Sequence, residues 1–335
     1  MIRVAVAFVV AAVLSHLLTP LLRRAALRLR ILDWPDGRLK THAAPVPYLG
    51  GVAIYLAFLL TLLVTVELRR DVLAILLAGS LVALLGLVDD LVSLPPGAKL
   101  AGQVLAVAVL VRASVTMEAP FLPAWLSVAL SFLWLLGMAN AFNLIDVMDG
   151  LAAGVALVAS LVLAGIALGN GRVIAASLLA ALAGSLAGFL RYNVEPARIY
   201  MGDAGSLFLG LVLGALALNN GYTERNAIAS LAPVVILGLP LLDMLFVVYV
   251  RWRRGAPIFR GSPDHVPLRI RRWRLTVRQT VWASYLASAA LGAAGVALTL
   301  VDVPAALIVL TATIAAVVAL ALSLHKLDPT ETAER

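Results

Sequence analysis

The segment Asn140-Ala-Phe-Asn-Leu-Ile-Asp-Val-Met-Asp-Gly150 sets Asn140, Asn143, Asp146 and Asp149 at steps of three between two apolar runs. On a helix, that spacing puts neighbouring members on adjoining faces one turn apart. A carboxylate at bilayer depth is costly, so such groups line a cavity or sit at a membrane end. Two amides and two carboxylates together make a hard-oxygen surface, suited to Mg²⁺ or to the hydroxyls of a polar ligand.

Four further clusters carry related chemistry. Asp89-Asp90 is an adjacent carboxylate pair, fit for a base or a metal-linked role, or a plain acidic helix end. Lys99 and Gln103 follow at i, i+4 and face one way. In Tyr200-Met-Gly-Asp-Ala-Gly-Ser206, Gly202 and Gly205 allow a ligand close to the backbone. Asp203 there is a candidate site carboxylate or an N-cap, and Tyr200 a stacking partner for a base or an interfacial anchor. Arg38, Lys40 and His42, stiffened by Pro45 and Pro47 before Gly50-Gly51, form a basic loop for phosphate oxygens or lipid head groups. The stretch from Arg260 to Arg272, with His265 and Arg269, suits a pyrophosphate or serves as membrane-edge charge. Asp243 is an intramembrane acid without an assigned partner, and His16 and His325 lie away from the clusters.

These clusters must be positioned by membrane helices. The 335 residues are 62% hydrophobic and 13% charged, more apolar than a water-soluble fold needs. Apolar segments at 2–22, 48–66, 72–88, 100–116, 121–141, 151–168, 172–190, 205–220, 228–250, 280–301 and 303–324 predict an all-α polytopic membrane protein of eleven spans, or ten if two merge. The first run carries one basic residue, Arg3, and no clear small-residue cleavage site, so it reads as a membrane helix and not a removed signal. The chain reads as a single domain over 1–335. With no cysteine, thiolate catalysis, disulfides and cysteine metal sites are excluded.

Alternating connections put 23–47, 89–99, 142–150, 191–204 and 251–279 on one side, with the tail. That side holds 20 of the 26 Lys and Arg residues and is therefore cytoplasmic. The net charge of +8 then reports loops beside anionic lipid and not a nucleic-acid partner. All five clusters fall on this face, so they can build one site. Carboxylates for Mg²⁺ (or Mn²⁺), cations for phosphate and an aromatic for a base suit an Mg²⁺–pyrophosphate substrate such as a nucleotide sugar, with an acceptor from the membrane.

From about Asp33 to His265, the chain resembles the polyprenyl-phosphate N-acetylhexosamine-1-phosphate transferases (MraY/WecA type). The resemblance is carried by Asn140–Gly154 and Met201-Gly-Asp-Ala-Gly-Ser-Leu-Phe-Leu-Gly210. Arg38–His42 with Pro47–Gly51 is more similar to the GlcNAc-1-phosphate branch than to the muramoyl-pentapeptide branch. The resemblance implies transfer of a sugar 1-phosphate from a UDP-sugar to undecaprenyl phosphate with release of UMP, initiating a cell-envelope glycan at a bacterial inner membrane. It implies that Asp203 and Asn143 hold Mg²⁺, and that Asp89, with Asp90 beside it, assists the lipid phosphate. Asp146 and Asp149 would shape the nucleotide-sugar pocket, Asn193 and Tyr200 would face uracil and ribose, and Lys99 would sit near the phosphates. Lys40, His42 and His265 are the further substrate-binding candidates, and a homodimer is a family-level expectation.

One feature departs from the family. Its fifth cytoplasmic loop carries a His-x-His-His motif, whereas here Asp264-His-Val-Pro-Leu-Arg269 keeps only His265. The loss of the other two implies a different sugar, lower activity, or compensation by Arg269, Arg271 or Arg272. Two other readings compete: a transporter, which would place polar groups at mid-membrane in two half-repeats, and a lipid-binding relative that has lost turnover. No internal repeat is visible, and the carboxylates gather at one face.

Overall fold

The computed structural model describes residues 1–34, 45–117, 122–218, 220–257 and 263–326. The chain is helical almost throughout. In order come α1 (Ile2–Leu29), α2 (Gly50–Thr65), α3 (Arg70–Val92), α4 (Pro96–Arg112), α5 (Ala124–Ile145), α6 (Leu151–Gly169), α7 (Val173–Asn193) and α8 (Gly202–Ala217). The short α9 (Ala232–Ile236), then α10 (Gly238–Arg253), the short α11 (Val266–Ile270), α12 (Val277–Leu300) and α13 (Val303–His325) complete the bundle. One small antiparallel hairpin pairs β1 (Leu32–Asp33) with β2 (Val46–Pro47).

Eight described helices are long and apolar enough to cross a membrane, and nine if α9 and α10 count as one span bent by 71°. This is an all-α, multi-pass membrane protein. Helices α2 and α4 have 16 and 17 residues. They reach only about 24 to 26 Å at about 1.5 Å per residue, against a hydrocarbon core of about 30 Å. Helix α4 nevertheless runs along the whole of α3. Lys99 near the start of α4 meets Asp89 near the end of α3, while Arg70 at the start of α3 donates to the Arg112 carbonyl at the end of α4, 3.1 Å away.

The core centres on α8. Every residue from Ala204 to Ala217 is buried, as expected of a helix apolar on all sides. Helices α2, α3, α5 and α7 pack around it. Close approach of these helices is a matter of missing side chains. A Cβ on Gly51 of α2 would lie 2.1 Å from the Gly205 nitrogen, and one on Gly86 of α3 would lie 2.3 Å from the Asp203 carbonyl oxygen. The expected freedom of Gly205 for a ligand is thus spent on helix contact. The amide–carboxylate run is also split, since α5 ends at Ile145. Asn140 and Asn143 ride on the helix, while Asp146 and Asp149 occupy the turn before α6.

Candidate active site

A cleft of about 880 Å³ opens at the bundle end where α3, α5 and α7 finish and α8 begins. Its wall includes Asp89, Asp90, Asn143, Asp146, Asp149, Asn193, Tyr200, Asp203 and His265, residues spread over 177 positions of sequence. Asp33, Tyr48, Ser206 and Arg271 also line it. Lys40 and His42 lie outside the described residues.

At the floor, three oxygens from three helices converge on one cation. The Lys99 ammonium donates to Asp89 Oδ2 at 2.9 Å, to Asn143 Oδ1 at 3.4 Å, and to Asp203 Oδ2. Asn143 Nδ2 in turn donates to Asp203 Oδ1 and Ser206 Oγ, both at 2.9 Å, which turns the oxygen of the amide and not its nitrogen toward the cation. One turn deeper, Asn140 and Gln103 exchange a hydrogen bond of 2.7 Å. Lys99 and Gln103 are therefore two rungs joining α4 to α5, and Asn140 braces that joint.

Asp89 and Asp90 separate in role. Asp89 Oδ1 accepts from the Leu94 amide at 2.6 Å, which aims its other oxygen at Lys99. Asp90 turns to α8. Its Oδ1 accepts from the Asp203 amide at 2.8 Å and its Oδ2 from the Ala204 amide at 3.2 Å. Helix starts carry unpaired N–H groups and partial positive charge, so a carboxylate there is favourable. The N-cap function considered for Asp203 belongs to Asp90, reaching across from α3. Gly202 makes room for it, with φ of 67° and a would-be Cβ only 2.5 Å from Asp90 Oδ2. Asp203 is left free to point into the cleft.

On the opposite wall, Asp149 Oδ2 accepts from the Ala197 amide at 2.8 Å. Asn193 is buried and its amide is committed to backbone, accepting from Gly150 N and donating to the Ile199 carbonyl, both at 3.0 Å. These two side chains hold the 194–201 connection against the start of α6. Burial pushes the Asp146 carboxyl up to about 8, helped by the nearby charges of Asp203, Asp90 and Asp149. Burial and the Asp149, Asp33 and Asp146 charges likewise raise the Tyr200 hydroxyl, which stays protonated and able to donate.

The last wall is the loop before α11. His265 is nearly buried, with its Nδ1 2.8 Å from Asp243 Oδ2. Arg269 does not join it. Its side chain is 1% exposed, donates to Asp264 Oδ1 at 2.8 Å and the Leu324 carbonyl at 2.9 Å, and lies 5.0 Å from the centre of the Phe246 ring. The expectation that Arg269 contacts substrate is corrected: it closes a satellite core of α10, α11 and α13, and among the described residues of this loop Arg271 is the arginine that lines the cleft.

The model for glycosyl transferase family 4 matches residues 72–220. A probable undecaprenyl-phosphate N-acetylglucosaminyl 1-phosphate transferase of Bacillus subtilis is 33% identical over 295 residues, covering 85% of this chain and 82% of that protein. The chain belongs to glycosyl transferase family 4. A decaprenyl-phosphate N-acetylglucosaminephosphotransferase of Mycobacterium tuberculosis H37Rv is 30% identical, covering 82% of this chain and 78% of its own. A phospho-N-acetylmuramoyl-pentapeptide-transferase of Desulforudis audaxviator is 34% identical over 334 residues, covering 88% and 97%.

In this family-4 transferase, the stretch matched by the family model contains most of α3 and all of α4 to α8, and with them Asp89, Lys99, Asn143, Asp146 and Asp203. Four residues escaped the sequence reading. Ser206, which supports Asn143, carries a signal in hindsight: it sits one turn after Gly202, beside Asp203, at the start of a helix that is apolar from there on. Asp243 was visible as a lone acid in an apolar run, but its partner lies 22 positions away. Asp33 and Tyr48 flank the basic loop, and nothing in their neighbours marks them.

Proposed function

We propose that this family-4 enzyme transfers N-acetylglucosamine 1-phosphate from a UDP-sugar to undecaprenyl phosphate and releases UMP. The cleft faces the cytoplasm of a bacterial inner membrane, α2 and α4 completing eleven spans. The observation that carries the reading is the convergence of Asp89, Asn143 and Asp203 oxygens on the Lys99 ammonium at the floor of the cleft.

That convergence also tests the fit of a divalent cation. The donors are hard oxygens, and they already gather round one positive charge. Among the described residues, no cluster of three or more His, Cys, Asp or Glu side chains forms a complete cage. Mg²⁺ does not need one, because it commonly binds through one or two carboxylates plus substrate phosphates. Asp203 and Asn143 would hold it, with Asp89 alongside, and Mn²⁺ could replace it. Bound there, the ion neutralises charge developing on the pyrophosphate oxygens.

The protein's own groups do the rest. A phosphate monoester is largely ionised at neutral pH, with its second pKa near 6, so the acceptor needs little help from a strong base. Asp89 orients the acceptor. Its phosphate oxygen attacks the sugar-bearing phosphorus in line; that P–O bond forms as the bond to the bridging oxygen breaks, and the electron pair leaves on UMP. Lys99 offers a second positive charge to the phosphates. Tyr200 and the Asp146–Asp149 turn line the nucleotide-sugar side of the cleft.

The test is purified protein in detergent with undecaprenyl phosphate, Mg²⁺ and a panel including UDP-GlcNAc and UDP-N-acetylmuramoyl-pentapeptide, read by UMP release. UMP from UDP-GlcNAc is expected. Release from the muramoyl substrate alone would move the enzyme to the other branch, and no UMP from any donor, where a related enzyme works, would sink the reading.

A further inference from the structure

Asp243 is fully buried on α10, whose buried residues are otherwise Leu239, Pro240, Phe246, Val247 and Val250 and, near the helix end, Arg251, whose charge also feels Asp243. An apolar residue would be the default at that position. An isolated buried carboxylate is expensive unless its oxygens are hydrogen-bonded. Both are: Oδ2 is 2.8 Å from His265 Nδ1, and Oδ1 accepts from the Val266 amide at 2.6 Å.

These two bonds do separate things. The bond to Val266 ties the cleft loop to a membrane helix. The bond to the ring selects a tautomer, because an ionised carboxylate only accepts, so the proton it meets is on Nδ1. Nε2 is then the nitrogen left for the cleft that His265 lines. We propose that Asp243 is the positioning residue of the site's remaining histidine, holding the His265 ring with Nδ1–H inward and Nε2 presented to the phosphates of the bound substrate. The role of His265 toward phosphate rests on the transferase reading; the Asp243–His265 geometry does not. A ring held at Nδ1, on a backbone tied to the same carboxylate through the Val266 amide, loses little freedom on meeting substrate, which is how one histidine can serve where the family motif carries three.

Two measurements test it. Ring-¹⁵N-labelled histidine in the full-length protein reports tautomers directly. The chain has four histidines, so His265→Gln assigns the signal. A proton on Nδ1 of His265 is expected; a neutral Nε2–H ring would overturn the proposal. That readout needs no turnover, so it stands or falls apart from UMP release. The second is a double-mutant cycle. Asp243→Asn, which keeps the shape, should lower kcat/KM by about 10- to 100-fold, yet cost little more once His265 is already Gln. An equal loss in both backgrounds would mean that Asp243 only supports the fold. If Asp243→Asn does not yield folded protein, the ring measurement on the unmutated chain decides.

Discussion

Lys99 is the residue around which the site is balanced. Its ammonium offsets Asp89 and Asp203, which would otherwise repel across the cleft floor. Asp203→Ala removes an oxygen no neighbour replaces, so turnover should fall by at least about 100-fold, the scale of losing one preorganised electrostatic contact, while the protein stays folded. Near-normal UMP release would show the centre is elsewhere. Asp146 gives a prediction of opposite sign for stability. Its carboxyl titrates at about 8 in the folded protein against 3.8 as the ordinary value. The folded state therefore keeps a proton that the unfolded chain has lost, and stability drains as pH rises between those values. Asp146→Asn should raise the melting temperature, by an amount that grows from pH 5 to about 8 and then levels, while lowering turnover. A gain that shrank with pH would contradict the burial assigned to this carboxyl. The residue types at this site were legible because hard oxygens in an apolar chain have few other uses. Their division of labour was not. Asp90 and Asn193 look like ligands by type, and only the fold shows that they are spent on the backbone of α8, Gly150 and Ile199.

At the scale of elements, small residues set how closely α2, α3 and α8 meet. Gly51→Ala would drive a methyl against the Gly205 backbone, which cannot rotate away. Overpacking of this kind costs about 1–3 kcal/mol, visible as a lower melting temperature and weakened activity, since α8 carries Asp203. Gly97→Ala, on the open first turn of α4 with nothing within 4 Å, should be neutral or gain up to about 1 kcal/mol from helix propensity. Equal effects at the two positions would refute the close-packing role. The helices themselves were readable from runs of apolar sequence. The bend between α9 and α10 was not: Leu-Ala-Pro-Val-Val-Ile-Leu-Gly-Leu-Pro stays apolar through the break, so the 228–250 segment read as one straight span.

For the whole molecule, alternation of the helices gathers all the described clusters at one end, as the distribution of Lys and Arg anticipated. A cysteine-free chain is a ready template for checking sidedness. Arg253→Cys, exposed at the cleft end, should resist a membrane-impermeant thiol reagent in intact cells, while Glu67→Cys at the far end should react. The reverse pattern would invert the topology. The chemistry is tested most directly by following the phosphorus. With UDP-GlcNAc carrying ³²P in the sugar-bearing phosphate, sugar-1-phosphate transfer puts the label into the lipid and releases unlabelled UMP. Label appearing instead in released UDP would mean that the sugar alone is transferred, and would contradict phosphoryl transfer at the Asp89–Asn143–Asp203 centre.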